Sequence, residues 1–421
     1  MHMKKNFCYS YKDFFIFVIV ITMMALAVFS GCKKAEPTSL YDPNYAGKPQ
    51  PVITTVSPAV ARAGIEEVVI NGNNFSATPS ENFVYFDNIK AAILSATATQ
   101  LKVLSPAIVK DSIRLKVAVF GAEKFSDIKY YKQISVVDEF GGLQSNEKPG
   151  GIACDTAGNV FASMAKNDLG DSIKMFTPGG KRTSFAPAVS GLDNWSALKV
   201  GPGEKLYACR NQRALYTISK NSEPALFAAV TGAKFFDLDF DKYGNIWTGG
   251  ADTLVYHIKQ DQTVQSYSIK DGKVIKSENV NFRTFRVYND YLYFGGKVDS
   301  IEVVYRAPIT PAGDLGVVEK YFDLSAQPGY GYNGPGVYAI TFNSDGEMYL
   351  GTDGDDAILL IKPNKAVSVF YKGILFPMSS SFAWDKGSYL YVSRSGIIAS
   401  RTIIRINTYK TSAPYYGRGD K

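Results

Sequence analysis

The chain has 421 residues, enough for two or three domains, and its 27 Tyr, 26 Phe and 37 Gly with frequent turn residues predict an all-β protein. Its formal net charge of +7 is mild and comes without a basic cluster or interleaved stacking residues, which argues against a nucleic-acid partner. Only four Cys and two His are present, so a disulfide framework is excluded and mechanisms that need several histidines are weakened.

The N-terminus is predicted to be a secretory signal. A basic start precedes an uncharged apolar run over residues 14–29, which is short for a membrane-spanning helix. The segment Phe29–Cys32 (FSGC) resembles the bacterial lipobox, except that Phe stands where Leu is usual. The resemblance implies a signal peptide over residues 1–31, a diacylglycerol on Cys32 and a polar tether over residues 32–50. An uncleaved membrane anchor with an incidental Cys is the alternative.

Short alternating segments separated by Pro, Gly and Asn turns fill residues 51–131 and predict a small β-sandwich. The segments PVITTVSP, VVINGNNF, VYFDN and LKVLSP resemble the IPT/TIG family of immunoglobulin-like domains. This resemblance implies a spacer or an interaction module, in which Gly72 permits a tight turn and Phe75 fills the core. The segment contains no catalytic constellation.

A strand–turn–strand pattern recurs six times from residue 149 onward, and each copy ends its second strand on an aromatic residue. Successive aromatics are 46, 40, 46, 56 and 42 residues apart. A period in the forties with strand-rich units predicts the blades of a β-propeller, and a third and a fourth strand follow each of the first five pairs. The closing aromatics are Phe161, Tyr207, Trp247, Tyr293, Tyr349 and Tyr391.

The sixth copy lacks a fourth strand, because only a polar tail follows Asn407. The segment 134–140 has the character of a fourth strand and precedes the first copy. We predict that it closes the ring by pairing with the last blade, which would leave no exposed strand edges. The fold class is therefore an all-β chain, with a small immunoglobulin-like sandwich followed by a six-bladed β-propeller over residues 132–421.

The copies GIACDTAGNVF and DLDFDKYGNIW resemble NHL-type and SMP-30-like propellers, a superfamily that includes binding proteins, lactonases and lyases. Fold alone does not choose among them. SMP-30-like enzymes hold a divalent cation near the axis, but Pro149–Gly151 stands where the matching Glu is expected. Lyases on related propellers rely on histidines, and only His257, inside a predicted third strand, follows the signal. The run Thr352–Ile358 reads either as a calcium loop or as an ordinary polar loop, and we predict neither a metal nor a cofactor.

A polar and aromatic rim is predicted on the face where loops lead into first strands and join second to third strands. Such a rim suits sugars, because planar rings stack on pyranoses while Asn, Asp and Arg bind their hydroxyls. Trp195 fits no repeated core position, whereas Trp247 and Trp384 are assigned to the core between blades. A solvated rim without a ligand is the alternative. The ligand-binding candidates are Trp195, Arg210, Arg213, Asp252, Arg283, Tyr330, Tyr332, Asn333, Asp353 and Arg394.

The order of lipid anchor, tether, sandwich and propeller resembles the accessory glycan-binding lipoproteins of Bacteroidetes nutrient-uptake systems. The resemblance implies a non-enzymatic protein of the cell envelope, held in the outer membrane through Cys32, with a glycan ligand and outer-membrane uptake proteins as partners. Its membrane face, periplasmic or cell-surface, stays open. Two other functions also stay open: an SMP-30-like lactonase or lyase-type enzyme, and an envelope scaffold for protein–protein interaction. An aromatic platform would favour glycan, an axial cation the enzyme, and a flat apolar patch a protein partner.

Overall fold

The computed structural model describes residues 47–270, 274–275, 277, 279–331, 333–396 and 401–420. The predicted signal peptide, the lipidated Cys32 and most of the tether lie outside the described residues. The chain from Pro49 onward forms one compact unit. Within the described part of the chain, no helix has the length and apolar character needed to cross a membrane.

Two packed sheets form the first part of this unit. Their strands are β1 (Val52–Ser57), β2 (Val60–Arg62), β3 (Glu67–Asn73), β4 (Asn82–Phe86), β5 (Ile89–Lys90), β6 (Ala92–Ala96), β7 (Gln100–Leu104), β8 (Lys110–Val119) and β9 (Lys129–Ile134). One sheet has the order β1-β3-β7-β6 and the other β2-β9-β8-β4-β5. Alternate residues such as Val68, Ile70, Leu115 and Val117 are fully buried between the sheets, as expected for a sandwich.

Gly72 has a different role from the one predicted. It lies within β3, opposite Ile53, rather than in a tight turn. A Cβ atom at Gly72 would stand 1.9 Å from the Val52 carbonyl oxygen and 2.6 Å from the Phe75 ring. The absence of a side chain therefore lets two strands approach and lets Phe75, 6% exposed, fill the core as predicted.

Six four-stranded antiparallel sheets follow, and the predicted fold class is confirmed. The first three blades are β11 (Glu147–Cys154), β12 (Val160–Lys166), β13 (Leu169–Phe176) and β14 (Arg182–Ala186); β15 (Ala197–Val200), β16 (Leu206–Cys209), β17 (Ala214–Ile218) and β18 (Ala225–Ala229); and β19 (Asp237–Phe240), β20 (Ile246–Gly249), β21 (Leu254–Ile258) and β22 (Val264–Ser268). The fourth and fifth are β23 (Val280–Tyr288), β24 (Tyr291–Val298), β25 (Ile301–Pro308) and β26 (Glu319–Asp323); and β27 (Val337–Phe342), β28 (Met348–Thr352), β29 (Ile358–Ile361) and β30 (Val367–Val369). The sixth contains β31 (Ser381–Trp384), β32 (Tyr389–Arg394), β33 (Thr402–Asn407) and β10 (Val137–Phe140).

The sixth blade takes its outer strand from the other end of the propeller sequence. Val137 of β10 lies opposite Ile406 of β33, and the sheet order is β10-β33-β32-β31. The strand is shorter than the predicted segment 134–140, because Ile134 ends β9 and pairs in parallel with Arg62 of the sandwich. The sandwich thus retains the residues up to Ile134, and the ring is closed by four residues.

The first strand of each blade lines the propeller axis, and adjacent blades are joined by aromatic side chains. Trp247 is fully buried and Trp384 is 6% exposed, which confirms their assignment to the core between blades. We call the end of the axis where the first strands begin the open end, and the end where they finish the closed end.

The polar tail covers the closed end, a role that its sequence did not indicate. It bonds to the final residues of first strands in several blades: Ala413 N donates to the Phe342 oxygen at 3.0 Å, and Tyr415 Oη donates to the Val200 oxygen at 2.8 Å. Arg418 Nη1 donates to the Trp384 oxygen at 2.5 Å. These contacts join blades five, two and six across the axis.

The sandwich also contacts the propeller. The Arg62 guanidinium lies 4.6 Å from the centre of the Tyr409 ring. Gly64 packs so closely on the loop after β30 that a Cβ there would stand 2.8 Å from Ile374 Cδ1. The two folds therefore share a packed contact rather than only a linker.

Candidate functional site

A cavity of about 380 Å³ lies at the open end of the propeller axis. Its walls come from the beginnings of first strands and the ends of second strands, and blades one, two, three, five and six contribute. This volume lies within the range of small-ligand sites. The charged and larger side chains of this axial cavity are Lys148, Asp168, Asn194, Trp195, Phe236, Tyr338 and Met378.

Two glycines bring the first blade against the second at one wall of the axial cavity. Gly151 N donates to the Trp195 oxygen at 2.9 Å, and a Cβ on Gly150 would stand 2.7 Å from that same oxygen. A Cβ on Gly151 would stand 2.6 Å from the Ala197 carbonyl carbon. Close packing of blades thus accounts for the Pro-Gly-Gly sequence where an SMP-30-like enzyme is expected to carry Glu.

Trp195 reaches the cavity wall, but its ring is packed inside the protein. The residue is 3% exposed, and its indole meets the Tyr216 ring edge-on at a centroid distance of 5.3 Å. Its backbone N–H donates to Ser163 Oγ at 3.1 Å. Trp195 therefore belongs to the core between blades one and two, and the ring faces that the stacking hypothesis requires are covered.

Several other predicted candidates are held by hydrogen bonds within the protein. These bonds are Arg210 to Gln212 at 3.0 Å, Tyr256 to Asp252 at 2.7 Å, Tyr330 to Asp356 at 2.5 Å, and the Gly336 N–H to Asp353 at 2.7 Å. Burial, reinforced by Asp356, raises the pKa of Tyr330 well above its ordinary value. These residues order loops around the rim rather than converge on one point.

Arg283 packs against β27 next to Tyr338, which is part of the cavity wall. Its guanidinium pairs with Glu302, its Nε donates to the Val337 oxygen at 2.8 Å, and its Cζ lies 4.6 Å from the Tyr338 ring centre. Burial raises the pKa of Glu302 despite the opposing charge of Arg283. The arginine thereby fixes Tyr338, which lines the axial cavity.

The last described candidates are Arg213, Asn333 and Arg394, and they occupy two different environments. Arg213 and Asn333 are exposed, and Tyr332 lies outside the described residues. Arg394, in contrast, is 7% exposed at the end of β32, next to Ser395 of the cavity wall.

Sequence reasoning missed Lys148 and Tyr338, because it searched the loops for ligand contacts, and it passed over Met378 and Ser380 in the loop that leads into β31. These residues lie within or just before the first strands, near their beginnings. One signal was available: thirteen residues before the closing aromatic, the position of Lys148, the second and third copies also carry polar residues, Asn194 and Lys234.

Ion pairs join neighbouring blades along the axis. Lys199 Nζ lies 3.6 Å from Asp237 Oδ1, and Arg286 Nη1 donates to Asp239 Oδ2 at 3.0 Å. Burial raises the pKa of Asp237, while Lys199 opposes the shift. Arg286 Nη2 also donates to the Pro414 oxygen at 2.9 Å and so ties the tail to the fourth blade.

The histidine and thiol side chains that a propeller enzyme could use are buried and do not line the axial cavity. His257, in β21 as predicted, stacks on Trp247 at 4.3 Å and lies 3.5 Å from Asp241 Oδ2. Burial raises the pKa of the Cys154 thiol to about 12, which disfavours the nucleophilic thiolate. No three His, Cys, Asp or Glu side chains of the described residues are grouped to hold a metal ion.

Comparisons with known proteins agree with this architecture. An auxiliary nutrient binding protein from Bacteroides thetaiotaomicron is 15% identical, with a TM-score of 0.50 over 87% of this chain and 98% of its own. A protein from the same species, named as a candidate phosphatase, is 13% identical, with a TM-score of 0.56 over 88% of this chain and 99% of its own. At these identities the likeness concerns the fold. Among curated proteins no relative matches this chain.

The family comparison concerns the first part of the chain. Residues 51–132 match the family model described as IPT/TIG domain. The match ends at residue 132, within β9, the strand that completes the second sheet of the sandwich. The protein therefore carries an IPT/TIG domain, followed by a six-bladed β-propeller.

Proposed function

We propose that this protein is a non-enzymatic binding protein of the bacterial cell envelope that takes up a glycan ligand in the axial cavity. The observation that carries the proposal is the difference between the ends of the axis. A cavity of about 380 Å³ is present at one end, and hydrogen-bonded tail residues cover the other. A ligand would therefore enter the cavity from the open end.

The chemistry of the cavity wall suits a saccharide. The hydroxyl groups of Ser196 and Ser380 donate to the oxygens of Phe236 and Ser393, so their own oxygens are left to accept from a sugar hydroxyl, while Tyr338 and Phe236 offer half-buried aromatic surface. Sugars need this combination, because their rings carry apolar faces and their hydroxyl groups need hydrogen-bond partners. The enclosed positions of His257 and Cys154 do not favour the lactonase or lyase alternative.

A nutrient-uptake role is also supported by likeness. The Bacteroides thetaiotaomicron neighbour of matching length is an auxiliary nutrient binding protein, and this chain covers 98% of it. The role agrees with the lipobox-like segment that ends at Cys32, because a lipid on Cys32 would tether the propeller to a membrane.

A glycan array with the full-length protein in detergent micelles tests the proposal. We expect binding to at least one class of polysaccharide fragment, followed by about a tenfold loss of affinity in Tyr338→Ala, about 1.4 kcal/mol, measured by isothermal titration. Tyr243→Ala is the matched control, because Tyr243 is 55% exposed on the β19–β20 hairpin at the closed end. Absence of binding to any saccharide, or equal losses in both variants, would contradict the proposal.

The membrane anchor has its own test. Cells that express the chain should incorporate labelled palmitate into it, and Cys32→Ala should abolish the labelling. Cys8→Ala, which changes a cysteine before the apolar run, serves as the control and should retain the label. Labelling that persists in Cys32→Ala would show that the anchor lies elsewhere.

A further inference from the structure

Exposed apolar side chains are concentrated on the hairpin between β8 and β9 of the sandwich. Phe120 is 67% exposed, Phe125 is 46% exposed and Ile128 is 45% exposed. Single apolar residues on a surface are ordinary, but several large ones on one short segment indicate a contact with an apolar partner. We call residues 120–128 the apolar hairpin, and the binding function proposed above makes no use of it.

The apolar hairpin lies at the end of the sandwich that is far from the propeller. Strand β8 begins at Lys110, opposite Gln133, and the next residue of β9 pairs with Arg62, which contacts the propeller. The strand is ten residues long and ends at Val119. At about 3.3 Å per residue, Phe120 is therefore about 30 Å from the end that contacts the propeller.

The N-terminal segment joins the sandwich at the same end. Gln50 Nε2 donates to the Phe125 oxygen at 2.7 Å, and Asn74 Nδ2 donates to the Gln50 oxygen at 2.8 Å. Gln50 comes eighteen residues after Cys32, and a chain of that length spans at most about 60 Å when it is fully extended. The membrane in which Cys32 would be anchored is therefore within that reach of the apolar hairpin.

The groups around the apolar hairpin suit a layer of lipid headgroups. Lys116 Nζ lies 4.5 Å from the Phe125 ring centre, and the Tyr85 ring meets the same ring edge-on at a centroid distance of 6.1 Å. A lysine can keep its ammonium among polar headgroups while its stem covers apolar surface, and a tyrosine joins an apolar ring to a polar tip. Glu123 and Lys124, both exposed, balance in charge, so we expect apolar burial to dominate over attraction to anionic lipids.

Resting on the membrane anchor proposed above, we propose that the apolar hairpin is buried in the headgroup layer of the membrane that holds the N-terminus. Removal of the Phe120 and Phe125 rings from water is favourable, and the anchor keeps this small surface close to the lipid at a high effective concentration. The sandwich would then stand on the membrane by the end that carries the hairpin, with its contacts to the propeller at the other end.

Tryptophan fluorescence of the full-length protein, anchored in vesicles of lipid with brominated acyl chains, tests the proposal. The three native tryptophans, Trp195, Trp247 and Trp384, are buried, so an added one reports on its own surroundings. We expect the bromine to quench Phe120→Trp at least about twofold more than Phe376→Trp, because a side chain about 5–10 Å inside the headgroup boundary approaches the brominated chains. Phe376, 64% exposed on the propeller, is the matched control.

Each outcome decides the proposal. Stronger quenching of Phe120→Trp than of Phe376→Trp supports it. Absence of quenching in Phe120→Trp, or equal quenching of both variants, would overturn it while the anchor stands, and would leave the apolar hairpin to a protein partner. A chain that does not float with the vesicles would overturn the anchor and the proposal together. The glycan array decides the binding function separately, because it does not depend on the hairpin.

Discussion

The two ends of the propeller axis are built from the same six first strands but differ in what meets them. At the closed end the strands finish against the tail, whose backbone and side chains bond to Phe342, Val200 and Trp384. At the open end the strands begin around a cavity of about 380 Å³. The comparison teaches that a repeated scaffold is made asymmetric by one short non-repeated segment.

The difference extends to charge. Arg286 at the closed end has both a carboxylate partner and a tail carbonyl, whereas Arg394 at the open end has a long hydrogen bond to the Pro377 oxygen, at 3.5 Å, and no ion pair within the described residues. Removal of one partner from a buried ion pair leaves an uncompensated charge inside the protein, which is costly. Stability should therefore depend on the closed end and ligand affinity on the open end.

The largest expected effect comes from breaking the ion pair of the closed end. Arg286→Met removes the partner of Asp239, a carboxylate that is fully buried, and should lower the free energy of unfolding by about 3–5 kcal/mol. Denaturant titration measures the loss. The double variant Asp239→Asn/Arg286→Met should recover part of it, because no unpaired charge remains; a double variant less stable than Arg286→Met would contradict this reading.

A smaller loss should follow removal of the ring that fastens the tail. Tyr415→Ala should cost about 3 kcal/mol, the lower end of the range for aromatic truncation, because Tyr415 is only partly buried. Tyr415→Phe keeps the ring and removes the bond to the Val200 oxygen, so about 1 kcal/mol is expected. Thermal unfolding measures both. Equal melting temperatures for Tyr415→Ala and the surface variant Tyr243→Ala would show that the Tyr415 ring does not stabilise the closed end.

The smallest effect concerns acid stability at the open end. Arg182 holds the pKa of Glu147 below its ordinary value of 4.5 through paired hydrogen bonds at 2.8 and 2.5 Å. A carboxyl whose pKa is lowered by folding stabilises the protein above that ordinary value, and the contribution fades as the pH falls through the lower folded-state pKa.

Arg182→Gln should therefore cost about 1 kcal/mol at pH 6 to 7, and the difference from the parent protein should shrink as the pH falls below 4.5. Melting temperatures across that range provide the measurement. Lys181→Gln, at the exposed neighbouring position, should show no such trend. A cost that stays constant down to pH 3 would assign the effect of Arg182 to packing.

Local patterns were sufficient to predict much of this protein. Alternation with Pro and Gly turns predicted the sandwich, and the spacing of aromatics such as Trp247 and Tyr391 predicted six blades. Both follow from short-range rules, because strand periodicity and turn chemistry act over a few residues and each blade repeats them. A strand after Ile134 that closes the ring also followed from counting, although the pairing of Ile134 with Arg62 moved its start to Val137.

The binding site could not be predicted in the same way. Trp195 was chosen because it breaks the repeat, but whether its ring is covered depends on Gly150 and Gly151, which draw two blades together. Arg394 and Arg210 occupy the same position in their copies, three residues after the closing aromatic. Only the surrounding chain makes the first buried and the second a half-exposed partner of Gln212.

The sequence by itself determined the all-β class, the sandwich before the propeller and the number of blades, because these depend on periodicity and on residues close in the chain. Tertiary structure alone decided which end of the axis is closed. The tail residue Tyr415 bonds to Val200, 215 positions earlier, and no local signal specifies that partner. It also decided which charges are paired, since desolvation and ion pairing depend on neighbours that folding brings together.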